Sequence, residues 1–94
     1  MSQNTVKLTA AQTNLLHNLK GKKIIRYSTY NPVLAIMQLK IIVAGRDLDG
    51  RRHNNFLHLI KSGLVSQGPI QYDGREQQID CWVSAKGDAF LWDR

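Results

Sequence analysis

Cysteine, acidic residues and long apolar runs are all in short supply in this 94-residue sequence. The one cysteine, Cys81, cannot form a disulfide within the chain, which fits a reducing cytoplasm. The longest apolar run, 33–44, is interrupted by Gln38 and Lys40 and falls short of the roughly 20 residues a membrane helix needs. Met1-Ser2-Gln3-Asn4-Thr5 has neither the basic start nor the apolar centre of a signal peptide. No low-complexity linker or internal repeat divides the chain. Residues 1–94 read as a single domain with one modest core, expected to be soluble and cytoplasmic with no membrane partner.

Groupings of catalytic or metal-ligating residues are missing too. His17, His53, His58 and Cys81 show neither i, i+4 nor C-x-x-C spacing, so neither a metal nor a cofactor is expected. His53 leans toward the apolar side of its helix and reads as a boundary residue. Cys81 lies in an apolar strand as a small core residue, with nothing nearby to make it nucleophilic. Asp47 and Asp49 are close enough in sequence to pair as acid and base, but Asp49 is already explained as a helix cap. No Gly-rich phosphate loop or nucleophile elbow appears. The expectation is a protein that is not an enzyme.

Seven acidic residues stand against thirteen Lys and Arg, a formal net charge of +6. The excess is local. Residues 20–61 hold nine basic residues and only Asp47 and Asp49 as acids, whereas 62–94 hold three basic and five acidic ones. A basic stretch on a near-neutral frame is the footprint of a polyanion-binding protein.

Local patterns assign most of the chain. Thr9 and Gln12 are spaced as a capping box, and Leu8, Ala11, Leu15, Leu16 and Leu19 share a face, which predicts a helix over 10–20 ended by Gly21. The β-branched and aromatic stretch 23–30 reads as a strand. Asn31-Pro32 suits either a helix start or a turn. The alternation of Met37, Leu39, Ile41 and Val43 with Gln38, Lys40 and Ile42 favours a strand paired back onto 23–30 over a helix. Asp49 is placed to cap a second helix over 50–62, stopped by Gly63. Its apolar side would pack on the first helix through Leu15, Leu16, Leu19, Phe56 and Ile60. Asp73-Gly74 between 70–72 and 75–83 signals a hairpin. Ser84 can cap a last short helix.

The outward stripe of the 50–62 helix is the strongest candidate site. Arg51, Asn54, Asn55, His58 and Lys61 share it, with no carboxylate on the helix face, and Arg51-Arg52 stand at its positive end. Arginine matches guanine edges, asparagine adenine edges, and histidine and lysine phosphate oxygens. A solvated face, which would ordinarily mix Glu with Lys, is the bland alternative. Lys20, Lys22, Lys23 and Arg26 form a second basic group suited to backbone phosphates, or simply to keeping an edge strand soluble. Arg75 beside the hairpin turn suits a wing tip. Tyr27, Tyr30, Tyr72, Trp82 and Trp92 are expected at the core or its edge, with base stacking the rarer alternative.

Several motifs resemble winged helix-turn-helix proteins. The stretch 8–16 is similar to their opening helix. Phe56-Leu57-His58-Leu59-Ile60-Lys61-Ser62-Gly63-Leu64-Val65 looks like the end of their recognition helix. Trp82-Val83-Ser84-Ala85-Lys86-Gly87-Asp88-Ala89-Phe90-Leu91 resembles their closing segment. The hairpin over 22–48, where a standard member has a helix, is closer to small winged-helix-like proteins of phages and mobile elements, including the YjhX-type toxin family. The resemblance implies an α+β winged-helix-like domain: helix, hairpin, helix, wing hairpin, short C-terminal helix.

Two functions follow as expectations. One is a DNA-binding regulator of transcription, of phage or mobile-element type. It would place Arg51, Asn54, Asn55 and His58 in the major groove of double-stranded DNA and bind as a symmetric homodimer. The other is a phage-encoded inhibitor or toxin that blocks a host protein. Residues 33–43 discriminate: apolar side chains left exposed there on a monomer favour a protein partner.

Overall fold

The computed structural model describes residues 7–92, as three helices and five strands. In chain order they are α1 (Ala10–Leu19), β1 (Ile24–Asn31), β2 (Ile36–Val43), β3 (Arg46–Asp47), α2 (His53–Lys61), β4 (Val65–Asp73), β5 (Glu76–Val83) and α3 (Ala85–Trp92). The strands form one antiparallel sheet in the order β3-β2-β1-β5-β4.

This sheet overturns the winged-helix expectation. The two hairpins do not serve as a helical core's insert and wing. β1 pairs with β2 on one side and with β5 on the other, fusing both hairpins into a single layer. The reason lies in β1 itself. Ile24 faces Val43 of β2 and Cys81 of β5, and Arg26 faces Ile41 and Ile79, so burying Ile24 requires both neighbours.

Cross-strand partners share a face, so the registers sort the sheet into two sides. Ile24, Ile41, Val43, Val65, Ile79, Cys81 and Val83 point to one side, where Leu15, Leu16 and Leu19 of α1, Phe56 and Leu59 of α2 and Leu91 of α3 join them in the core. The other side carries Tyr27, Thr29, Lys40, Glu76, Gln78, Asp80 and Trp82, and no residue on it is buried. The three helices thus cover one face.

They also cover only half of that face. β1 and β4 begin, and β2 and β5 end, beside the helices, while both hairpin turns lie at the far end. The molecule measures 48 × 26 × 24 Å. Its radius of gyration, 14.3 Å, exceeds the about 12 Å of a compact chain this long.

Local signals account for the element ends. Thr9 Oγ1 accepts from the Gln12 N–H at 3.1 Å and Gln12 Oε1 from the Thr9 N–H at 3.0 Å, closing the capping box. Residues 50–62 are not one helix: Asp49 caps a single 3-10 turn, Gly50–Arg52, and α2 starts at His53 with no side-chain cap. Leu59, not Ile60, is the buried partner of Phe56; Ile60 lies at the margin of the core. β3 was not signalled, because two residues are too short for any periodicity. The β4–β5 loop is Gly74-Arg75, with Gly74 at φ +63° in the first central position, where a two-residue turn of type II′ requires glycine.

Two of the three motifs quoted for the winged-helix likeness, 56–65 and 82–91, meet in space. Ser84 Oγ accepts from the Gly87 N–H at 3.0 Å, capping α3, and donates to the Gly63 carbonyl at 2.7 Å. The Ser84 N–H donates to Leu64 O at 3.0 Å, and Lys86 Nζ to Ser62 O at 3.0 Å. The turn after α2 and the start of α3 are clamped together.

Candidate functional site

The fold brings some of the candidate residues together and separates others. Arg51, Asn54, His58 and Lys61 are exposed along the outer side of the 3-10 turn and α2; Arg52 and Asn55 are half-buried. A shallow groove of about 470 Å³ follows this side, lined by Asn54, Leu57, His58, Ile60 and Lys61. Asn55 is drawn toward α1, its Oδ1 accepting from Gln12 Nε2 at 3.4 Å. His58 Nε2 lies 3.4 Å from Ser62 Oγ. His53 Nε2 sits 3.1 Å from the Leu48 carbonyl, as suits a boundary residue.

The stripe is not free of carboxylate. Asp49 Oδ2 accepts from Arg51 Nη2 at 3.0 Å while Asp49 Oδ1 accepts from the Arg51 N–H at 2.9 Å. Asp49 is thus cap and counter-ion at once. The side-chain hydrogen bond from Arg51, then the one from its backbone, lowers the Asp49 pKa to about 2. Asp49 stays charged, and Arg51 paired, until pH falls toward that value. The signal was present in the sequence: an aspartate two residues before an arginine at a helix start can serve both.

Lys20, Lys22 and Lys23 stand exposed between α1 and β1. The Lys23 carbonyl accepts from the Ala44 N–H at 2.9 Å, bringing this group beside the β2–β3 turn and exposed Arg46. Arg26 does not join them. It lies on the helix-covered face between Ile41 and Ile79, where its Nη1 donates to Gln67 Oε1 at 2.8 Å and its Nε is buried with no partner among the described residues. Strand alternation set that direction. Arg75 is exposed at the β4–β5 turn, about 25 Å from the helical end by strand rise over β5. It shares no surface with α2.

No family model, curated protein or solved structure matches this chain. Its own surfaces therefore carry the functional reading. Among the described residues no cluster of His, Cys, Asp or Glu is arranged to hold a metal, and no helix is long and apolar enough to cross a membrane.

None of the five Tyr and Trp residues is buried. Tyr27 is half-buried on the open face, Trp82 is exposed there, and Trp92 is exposed on α3. Tyr30 and Tyr72 lie on the core side of the sheet, beyond the reach of the helices. They belong to an uncovered apolar end, with Val33 89%, Leu34 59%, Ile36 49%, Met37 52% and Ile70 48% exposed. The sequence singles out 33–43 as the deciding segment, but only the fold shows that the helices cover Ile41 and Val43 and stop short of 33–37.

Cys81 is buried, its thiol donating weakly to the Ile79 carbonyl at 3.7 Å, and burial pushes its pKa up to about 11. Native protein is therefore expected to resist iodoacetamide at pH 8 and to label fully once unfolded in guanidinium. Rapid labelling of the native protein would contradict this environment.

Proposed function

We propose that the protein binds duplex DNA without catalysing a reaction, gripping phosphates with its helical half. The observation that supports this most is the separation of charge along the long axis. Lys20, Lys22, Lys23, Arg46 and Lys61 stand exposed at the helical end, with Arg52 half-buried among them. Of the acids at this end, Asp47 lies 3.8 Å from Lys40 and Asp49 is paired with Arg51, while Asp80 and Asp88 stand exposed, and the basic residues outnumber them. Asn54 and His58, both exposed on α2, are the groups best placed to meet base edges.

The test is a salt series on a mixed-sequence duplex, read by fluorescence anisotropy. The logarithm of affinity should fall linearly with the logarithm of salt, by about 0.9 per phosphate neutralised. Lys22→Ala with Lys23→Ala should weaken binding to every duplex and flatten the slope. Asp49→Asn should do the opposite, because asparagine keeps the cap while freeing the Arg51 guanidinium; its slope should steepen by about one phosphate. Absence of binding at low salt, where attraction is strongest, would end this reading.

A second reading, a protein that inhibits another protein, is favoured by the exposed side chains of 33–37. Large uncovered apolar patches mark protein interfaces. It takes precedence if the chain is monomeric in solution and does not bind DNA.

A further inference from the structure

The sheet has two edges, and the chain treats them differently. β4 is broken by an irregularity between Gln67 and Ile70 that contains Gly68 and Pro69, a common device for making an edge unfit for pairing. β2 has no bulge, glycine or proline, and Lys40 is its one charged residue. β3 covers only Ile42 and Val43, and the Leu48 N–H adds one bond to the Ile41 carbonyl at 2.8 Å. At the other end Ala35, at φ +53°, turns the chain away toward β1. Residues 36–40 form an open stretch of edge between these two stops.

The direction of the backbone groups follows. Ile41 offers its carbonyl outward, away from β1, and main-chain groups alternate in direction along a strand. Leu39 and Met37 therefore also direct their N–H and C=O outward, while Ile36, Gln38 and Lys40 bond inward to β1. We propose that this edge pairs with the same edge of a second copy of the chain, antiparallel about a two-fold axis at Gln38. In that register Met37 of each copy exchanges both backbone hydrogen bonds with Leu39 of the other, so all the outward groups of the open stretch are satisfied.

Charge and area agree with a second copy as the occupant. The one charged side chain of the stretch, Lys40, falls opposite Ile36 of the other copy. The two lysines stand about 13 Å apart along the strands, beyond the Debye length of about 8 Å at physiological salt. On the core side Met37 and Leu39 extend the apolar surface across the seam, and Val33 and Leu34 of each copy approach the β3 end of the other. Val33, Leu34, Ile36 and Met37, each about half exposed or more, flank this edge and supply apolar surface toward the about 1,000 Å² that a specific interface buries. A two-fold pairing also closes, using up the edge that would otherwise recruit further chains.

The pairing stands apart from DNA binding and has its own readout. Light scattering on the eluted full chain at tens of micromolar should give twice the monomer mass of 10.7 kDa. Met37→Lys, at a position already half-exposed, should return it to the monomer mass with an unchanged circular dichroism spectrum. Gln38→Cys places two thiols across the axis at a Cα separation of about 4.5 Å, within disulfide reach of about 4.4–6.8 Å. Under mild oxidation it should form a covalent dimer, whereas Gln71→Cys on the β4 edge should not. A monomer mass for the unmodified chain, or equal cross-linking at positions 38 and 71, would overturn the pairing. A dimer that fails to bind DNA would leave it standing and remove the DNA reading.

Discussion

Phe56→Ala is expected to cost about 3 to 5 kcal/mol, because it deletes a buried ring and leaves a cavity its neighbours can only partly fill. Phe56 is the largest fully buried side chain, and it sits in the cluster with the leucines of α1 and Leu59 of α2. A small domain has about 5 to 15 kcal/mol in total, so the variant should be near the limit of folding. Urea denaturation measures this directly. The midpoint should fall steeply with the slope unchanged, as for a loss of stability without a change in the unfolded chain. A midpoint within a few tenths molar of the parent would mean that α2 turns another face to the sheet.

Gly87→Ala tests a sign. Glycine inside a helix is about 0.5 to 1 kcal/mol worse than alanine on propensity, so sequence logic predicts stabilisation. The structure predicts the reverse. A Cβ at Gly87 would overlap the Leu64 carbonyl oxygen and come within 2.8 Å of Val83 Cγ1. Backbone cannot give way as a flexible side chain does, and Leu64 O is already bonded to the Ser84 N–H. Overpacking of this kind costs about 1 to 3 kcal/mol or more. The clamp between the turn after α2 and α3 should loosen, lowering the melting temperature. A rise in melting temperature would mean that α3 does not sit this close to Leu64.

This clamp also recasts the winged-helix likeness. Ser62-Gly63-Leu64 and Ser84-x-x-Gly87 resemble that family's motifs, yet here they describe how one turn fits one helix start. The same local contact can serve under a helix-turn-helix or beside a five-stranded sheet, because it fixes a neighbourhood and not an architecture.

The candidate DNA-binding surface was legible in part for the same reason. Helical spacing correctly put Asn54, His58 and Lys61 outward. It could not show that Gln12 holds Asn55 or that Arg26 points between Ile41 and Ile79.

Signals that act over a few residues were decided by the sequence alone: the Thr9–Gln12 box, the leucine face of α1 and the apolar side of α2, whereas the alternation over 36–43 favoured a strand without excluding a helix. Each of the first three is a contact within one or two turns and needs no distant partner. Tertiary structure alone decided the union of both hairpins through β1 and β5, whose partners lie about fifty residues apart in the chain. Strand pairing depends on side chains meeting across the sheet, and local periodicity carries no record of which strand lies alongside. The bare edge of β2 and the uncovered apolar end follow from the same cause: three short helices pack on the near half of a sheet whose strands run on past them.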